Sequence, residues 1–201
     1  MRKNPQIFWT ILLLSLLCII WVFFVFKKDD GKSVIDSFTQ SNASSEVLPL
    51  GEGQTIKDLT FGGKEYTHIQ LGFSFKYPKE YTISSFGNFY DSNGETILLQ
   101  NEDKSRGLQV LITPFDEDVA LTLKRIKKDL PSLSVLEGAE TEIGAGNKKV
   151  AVVTFKSTNN LTTGKSLEAW FAYRNNLYQI SGLEASKELF DELIKTWTFE
   201  E

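Results

Sequence analysis

LGFSFKYPKEY, residues 71–81, carries the reading of the fold. Leu71, Phe73, Phe75 and Tyr77 alternate with Gly72, Ser74 and Lys76, which is the period of a strand with one buried face. Pro78 has no backbone N–H to donate, so the strand ends there. Burying four such side chains stabilises a body by on the order of 2 kcal/mol each, and leaving them on the surface would invite aggregation. This aromatic run is therefore expected to be one side of a core and not a binding surface.

The same logic extends along the chain. Residues 95–100 (ETILLQ) and 107–113 (GLQVLIT) flank a polar connection containing Gly and predict a β-hairpin. A second is predicted from residues 142–145 to 148–156 across Gly146 and Asn147. A third joins residues 167–174 to 177–181 across Asn175 and Asn176, which places Tyr173 opposite Tyr178 and Phe171 opposite Ile180. Two helices complete the pattern. Val119, Leu123, Ile126 and Leu130 recur at helical spacing, with the acidic trio Asp116, Glu117 and Asp118 at the positive dipole end and Pro131 as a stop. The last helix takes Ser186 as N-cap and aligns Phe190, Leu193, Ile194 and Trp197 on one stripe. Each stripe needs a sheet face to cover, so the elements predict an antiparallel sheet with helices packed on it.

The amino-terminal part is of another kind. Residues 7–26 form 20 consecutive positions without a charge, and a helix of that length spans roughly 30 Å, the thickness of a hydrocarbon core. A secretory signal has a shorter apolar stretch that ends in small residues, whereas this one closes on FFVFKKDD with Phe23, Phe24 and Phe26. Cys18 follows Leu17 where a lipobox needs a small residue, so it is read as a small apolar side chain within the bilayer. Trp9 and Trp21 lie near the two ends of the run, as membrane-interface anchors do. Residues 1–28 are thus expected to be a short tail and a transmembrane anchor, residues 29–56 a flexible linker rich in Ser, Gly, Asp and Asn, and residues 57–201 a globular body. Short amino-terminal tails stay in the cytoplasm and long domains translocate largely regardless of charge, which puts the body outside the cytoplasm at the cell membrane.

Composition excludes several functions. From residue 57 onward the chain has 17 Lys and Arg against 21 Asp and Glu, and an acidic body without a basic cluster argues against nucleic acid as a partner. The body has no Cys and one histidine, His68, so neither a zinc site nor a disulfide framework is expected. His68 lies in EYTHIQ, just before the opening strand, and reads as a surface or turn residue. The acidic trio lacks the alternating oxygen ligands of a calcium loop and reads as helix capping. No phosphate-cradling glycine motif is present. No catalytic, cofactor-binding or metal-binding residue is expected on these grounds.

GFSFKYPKEY, residues 72–81, resembles the opening strand of the PsbP-like family, in which a YGFSF-x-YP stretch precedes a short β meander. The order of the later segments, TILLQ, GLQVLITPF, a helix, KKVAVVTF, SLEAWFAYRNNLYQISG and SKELFDELIKTW, is similar over residues 57–201. The family includes the extrinsic photosystem II protein, bacterial periplasmic lipoproteins of the DcrB type and eukaryotic Ran-binding factors. The resemblance implies an α/β/α sandwich around a central antiparallel sheet, acting as an accessory or binding module without chemistry of its own. Its motif is made of folding residues, so no binding residue carries over.

The segment left for recognition is SSFGNFYDSNG, residues 84–94, where Phe86, Phe89 and Tyr90 stand among Gly, Asn and Ser in an expected loop. Aromatic side chains on loops serve as contact anchors. The expected protein is then a single-pass, membrane-anchored extracytoplasmic accessory or binding protein without catalysis. It contacts the lipid bilayer through residues 7–26 and a protein or cell-envelope partner through its body. The alternative is a membrane-tethered hydrolase working with a carboxylate pair or a Ser/Lys dyad.

Overall fold

Pro78 does more than end a strand: it marks where the chain leaves one sheet and enters another. The computed structural model describes residues 50, 53–60, 62–87, 94–117, 121–145, 148–158 and 165–200, all within one compact unit. The described strands are β1 (Gln54–Asp58), β2 (Lys64–His68), β3 (Phe73–Tyr77), β4 (Tyr81–Gly87), β5 (Glu95–Asn101), β6 (Gly107–Pro114), β7 (Ser134–Ile143), β8 (Val150–Thr158), β9 (Lys165–Tyr173), β10 (Asn176–Leu183) and β11 (Thr198–Phe199). Helix α1 (Leu123–Asp129) lies between β6 and β7, and α2 (Lys187–Thr196) between β10 and β11.

These strands form two antiparallel sheets, one of four strands in the order β1-β2-β3-β11 and one of seven in the order β4-β5-β6-β10-β9-β8-β7. That corrects the expected α/β/α sandwich, with its single central sheet between helical layers. β3, the strand that suggested it, pairs with β2 and β11 and not with β4, so it opens a second sheet that lies over the first. β1 and β11 escape the sequence reading for a physical reason. β1 is QTIKD and almost wholly exposed, and β11 has two residues, so neither offers an apolar alternation to detect. β1 also takes in residues 54–56, the last of the stretch whose composition reads as linker.

The registers show how the two sheets stack. Across the small sheet Gln54, His68, Phe73 and Phe199 stand in one row, and across the large sheet Glu95, Ile112, Tyr178 and Phe171 stand in another. The rows meet face to face: His68 reaches Glu95 at 2.8 Å, Phe73 meets Tyr178 edge-on at 5.6 Å, and Phe199 meets Phe171 edge-on at 5.9 Å. Between them Trp197 stacks on Phe73 at 4.7 Å. The aromatic face of β3 is buried as its alternation requires, with Phe73, Phe75 and Tyr77 in the core and Leu71 packed against it. Leu189, Phe190 and Leu193 of α2 bury into this same core.

The opposite face of the large sheet buries Leu111, Val153, Phe155, Trp170 and Leu177. Helix α1 packs against it beside β7, where a Cβ on Gly138 would come within 2.6 Å of Leu123 and 3.1 Å of the Phe155 Cβ. Glycine at that position lets the helix approach. α1 is shorter than its periodicity suggests. Its N-cap is Thr122, whose hydroxyl accepts from the Arg125 amide at 3.2 Å, so the acidic residues do not occupy its first turn. Glu117 pairs instead with Arg125, while Asp118 and Val119 lie outside the described residues. Ser186 likewise makes no side-chain cap on α2; its hydroxyl accepts from the Gly107 amide at 3.0 Å.

All three expected hairpins are present as strand pairs. The third is corrected in register. Arg174 and Asn175, with φ of 46° and 59°, form the two-residue turn, as a type I′ hairpin demands. Tyr178 therefore faces Phe171, and Ile180 faces Ala169. A shift of two residues keeps every side chain on its face, which is why the core face was legible although the partners were not. No described helix is long and apolar enough to cross a membrane, and residues 7–26, with Trp9 and Trp21, lie outside the described residues.

Candidate functional site

The densest polar constellation sits where β1 and β2 of the small sheet close over β4 and β5 of the large one. Glu95 is its centre. Gln54 and Ser85 both donate to its Oε1, the latter at 2.6 Å, and Gln54 also donates to the Ser85 Oγ at 3.0 Å. His68 Nε2 lies 2.8 Å from Oε2. The second ring nitrogen, Nδ1, accepts from the Leu71 amide at 3.3 Å, inside a turn closed by Gly72 N–H donating to the His68 carbonyl at 2.8 Å. An acceptor at Nδ1 assigns the neutral Nε2–H tautomer. His68 is 2% exposed, which overturns its reading as a surface or turn residue. The signal that could have found it is the alternation of Tyr66 and His68 with Glu65 and Thr67 in KEYTH.

Burial pushes the Glu95 carboxyl up, but the hydrogen bonds from His68, Ser85 and Gln54 outweigh it and hold the group below the usual carboxylate range. Glu95 is thus ionised at neutral pH and one-fifth exposed.

Serine, histidine and a carboxylate in one cluster invite comparison with a catalytic triad, and the connectivity decides against it. In a triad the imidazole stands between hydroxyl and carboxylate and takes the hydroxyl proton. Here the carboxylate stands between Ser85 and His68, and the only free lone pair of the imidazole is occupied by a backbone amide. The imidazole takes no proton from Ser85, and the cluster clasps two sheets together. His68→Ala is expected to lower stability by about 1–3 kcal/mol, the cost of removing one partner of a buried charge-assisted hydrogen bond, and to raise the Glu95 carboxyl towards its ordinary value. Urea denaturation and carboxyl NMR titration check both; an unmoved Glu95 would show that His68 does not hold it.

A second buried carboxyl lies on the other face of the large sheet. Glu168 of β9 is 7% exposed, and Trp170 Nε1 donates to it at 3.2 Å. Burial pushes its carboxyl up to about 7, against hydrogen bonds with Ser166, Trp170 and Ser157. Among the described residues it makes no ion pair.

Phe86, proposed from sequence as a contact anchor on a loop, belongs to β4. It stands half-buried opposite Thr96, on the sheet face away from Glu95. Phe89 and Tyr90 lie outside the described residues. Among the described residues no three His, Cys, Asp or Glu side chains converge as metal ligands.

The fold and its clasp define a two-sheet β body whose interior polar cluster holds layers together. No protein-family model matches this chain, and no curated protein matches it in sequence.

Proposed function

We propose that this chain is a single-pass membrane protein, anchored by residues 7–26, whose extracytoplasmic body is a non-catalytic binding or accessory module. The anchor rests on 20 uncharged residues flanked by Arg2 and Lys3 on one side and Lys27 and Lys28 on the other. The observation that carries the non-catalytic part is the wiring of His68. The one histidine of the chain has both ring nitrogens engaged in holding Glu95 and the β2–β3 turn. It is left with no proton-transfer role. Phe73, Phe75 and Tyr77 are core, so partner contact falls to other residues.

Protease shaving of intact cells, combined with alkaline carbonate extraction of their membranes, tests the reading. The body is expected to be digested from outside, and the undigested chain to stay in the carbonate-resistant pellet. Recovery of a shortened chain in the soluble extract, or protection of the body until the cells are lysed, would overturn it.

A further inference from the structure

At the corner of the large sheet where β8, β9 and β10 run out, a carboxyl is buried without a counter-charge. Thr158 opposite Lys165 is the last pair of β8 with β9, and Ser157 opposite Ser166 is the next. β10 stops at Leu183, opposite Ser166. On the other flank the register of β7 with β8 slips between Val135 and Glu137, next to Ser157. Glu168 stands one step inward, between Phe155 and Ser181. The ladders around it are thus at their ends, and one of them is irregular. Opening such a corner parts only a few pairs and leaves the rest of the fold closed.

Side chains fasten the corner. The hydroxyls of Ser157 and Ser166 meet at 2.6 Å across the two strands, and Ser166 also donates to the Ser157 carbonyl at 3.4 Å. Both hydroxyls hydrogen-bond to the Glu168 carboxyl, as does the Trp170 indole N–H at 3.2 Å. Phe155 meets Trp170 edge-on at 5.4 Å. Among the described residues no charge faces Glu168 from the elements around it. β8 presents Ser157 and Phe155, and β10 presents Ser181. Lys156 alternates to the other face, where it pairs with Glu137 of β7 and with Glu184. On α1, Arg125 pairs with Glu117 and Asp129, while Lys124, Lys127 and Lys128 are exposed. Glu168 therefore titrates under burial and hydrogen bonds alone.

We propose that Ser157, Ser166, Glu168 and Trp170 form a pH-operated latch that keeps the β8–β9 corner closed in acid and lets it open locally near neutrality. A protonated Glu168 stays buried among neutral hydroxyls and an indole. An ionised one without a cation gains by reaching water, and parting the strand ends beside it gives the shortest route. The sign follows from the direction of its titration. Burial pushes the carboxyl up to about 7, so closure is fully present below the value of a free glutamate, about 4.3. Above that value the opening constant rises about tenfold per pH unit, and it levels off once pH passes about 7. Opening frees the Trp170 indole from its acceptor, which couples pH to the outer face of the sheet. The latch stands independently of the membrane-anchored reading.

Hydrogen–deuterium exchange of the full-length chain in neutral detergent micelles, corrected for the intrinsic pH dependence of exchange, reads the latch from pH 5 to 9. Amides of residues 155–157 and 166–168 are expected to lose protection about tenfold per pH unit up to about 7 and then to level off. At pH 8 they are expected to exchange about tenfold faster, or more, than those of Phe73 and Phe75 in the small sheet, as a local opening requires. In Glu168→Gln the pH dependence is expected to vanish. Ser166→Ala removes one donor to the carboxylate and is expected to carry the levelling-off point to higher pH, a shift that mere loosening of a strand end would not produce. The two variants stand in for each other should either fail to fold. Level protection in the parent, a Glu168→Gln variant as pH-dependent as the parent, an unmoved levelling-off point in Ser166→Ala, or a corner as protected at pH 8 as Phe73 and Phe75, would overturn the proposal.

Discussion

Trp197→Ala is expected to lower the stability of the body by about 3–5 kcal/mol, the range for deleting a fully buried large aromatic. The indole is 0% exposed and lies between the two sheets. It stacks on Phe73 at 4.7 Å and Phe75 at 5.2 Å on one side, and meets Phe171 at 5.4 Å and Tyr178 at 6.2 Å edge-on on the other. As the residue joining α2 to β11, it also fixes where the chain returns to the small sheet. Its Nε1 has no hydrogen-bond partner among the described residues, so deletion also removes an unsatisfied donor, which offsets part of the loss. Trp197→Phe separates these effects: it keeps the stack on Phe73, deletes the N–H, and is expected to cost only about 1–2 kcal/mol. Urea unfolding followed by far-UV circular dichroism reads both variants, with the slope unchanged if the transition stays two-state. A loss below about 1 kcal/mol in Trp197→Ala would mean that the two sheets are not joined through this ring.

The second large effect is a pH dependence set by Glu168. Its carboxyl is pushed up to about 7 by burial, against an unfolded value near that of a free glutamate, so the folded state prefers the protonated form. The stability contributed by this preference is fully present below the unfolded pKa. It shrinks as pH rises and is gone once pH has passed the folded value near 7. The total change is on the order of 3 kcal/mol. Glu168→Gln keeps the shape and the hydrogen-bonding capacity without the ionisation. It is expected to flatten the stability profile between pH 5 and 8 and to exceed the parent in stability at pH 8. Glu95 contributes with the opposite sign. Its carboxyl is held below the ordinary range, so its stabilisation is present above the unfolded pKa and is lost as pH falls through the folded one. The two slopes occupy different windows, and denaturation midpoints measured from pH 3 to 9 resolve them. A parent profile that stays level from pH 5 to 8 would contradict the burial of an acid at this place.

The two clusters on the inter-sheet side divide the labour of holding the sandwich. At one end a carboxylate on β5 draws donors from three other strands, β1 and β2 of the small sheet and β4 of its own. At the other a chain carbonyl draws donors from the β9–β10 turn and from Lys148 just before β8. Between them the contact is aromatic and non-directional, which stabilises strongly but specifies register weakly. Directional polar contacts at the two ends are what hold one row over the other.

Much of the core was legible without coordinates. The alternation in residues 71–77 determines a buried strand face whatever that strand pairs with, because side-chain direction has a period of two. The stripes of the two helices and the three hairpins follow from local spacing in the same way, and a register error of two residues left their buried faces unchanged. Which strands share a sheet is a long-range matter. β3 pairs with β11, more than a hundred residues away, through Phe73 and Phe199, and nothing local in either segment encodes that choice. The same limit hid the clasp: Gln54, His68, Ser85 and Glu95 are scattered single polar residues in the chain and become a unit only when two sheets close on one another. Sequence by itself determined which faces are apolar, because that is a property of each segment. Tertiary structure alone decided that those faces meet as two sheets and that a lone histidine lies between them, because pairing and burial depend on residues far apart in the chain.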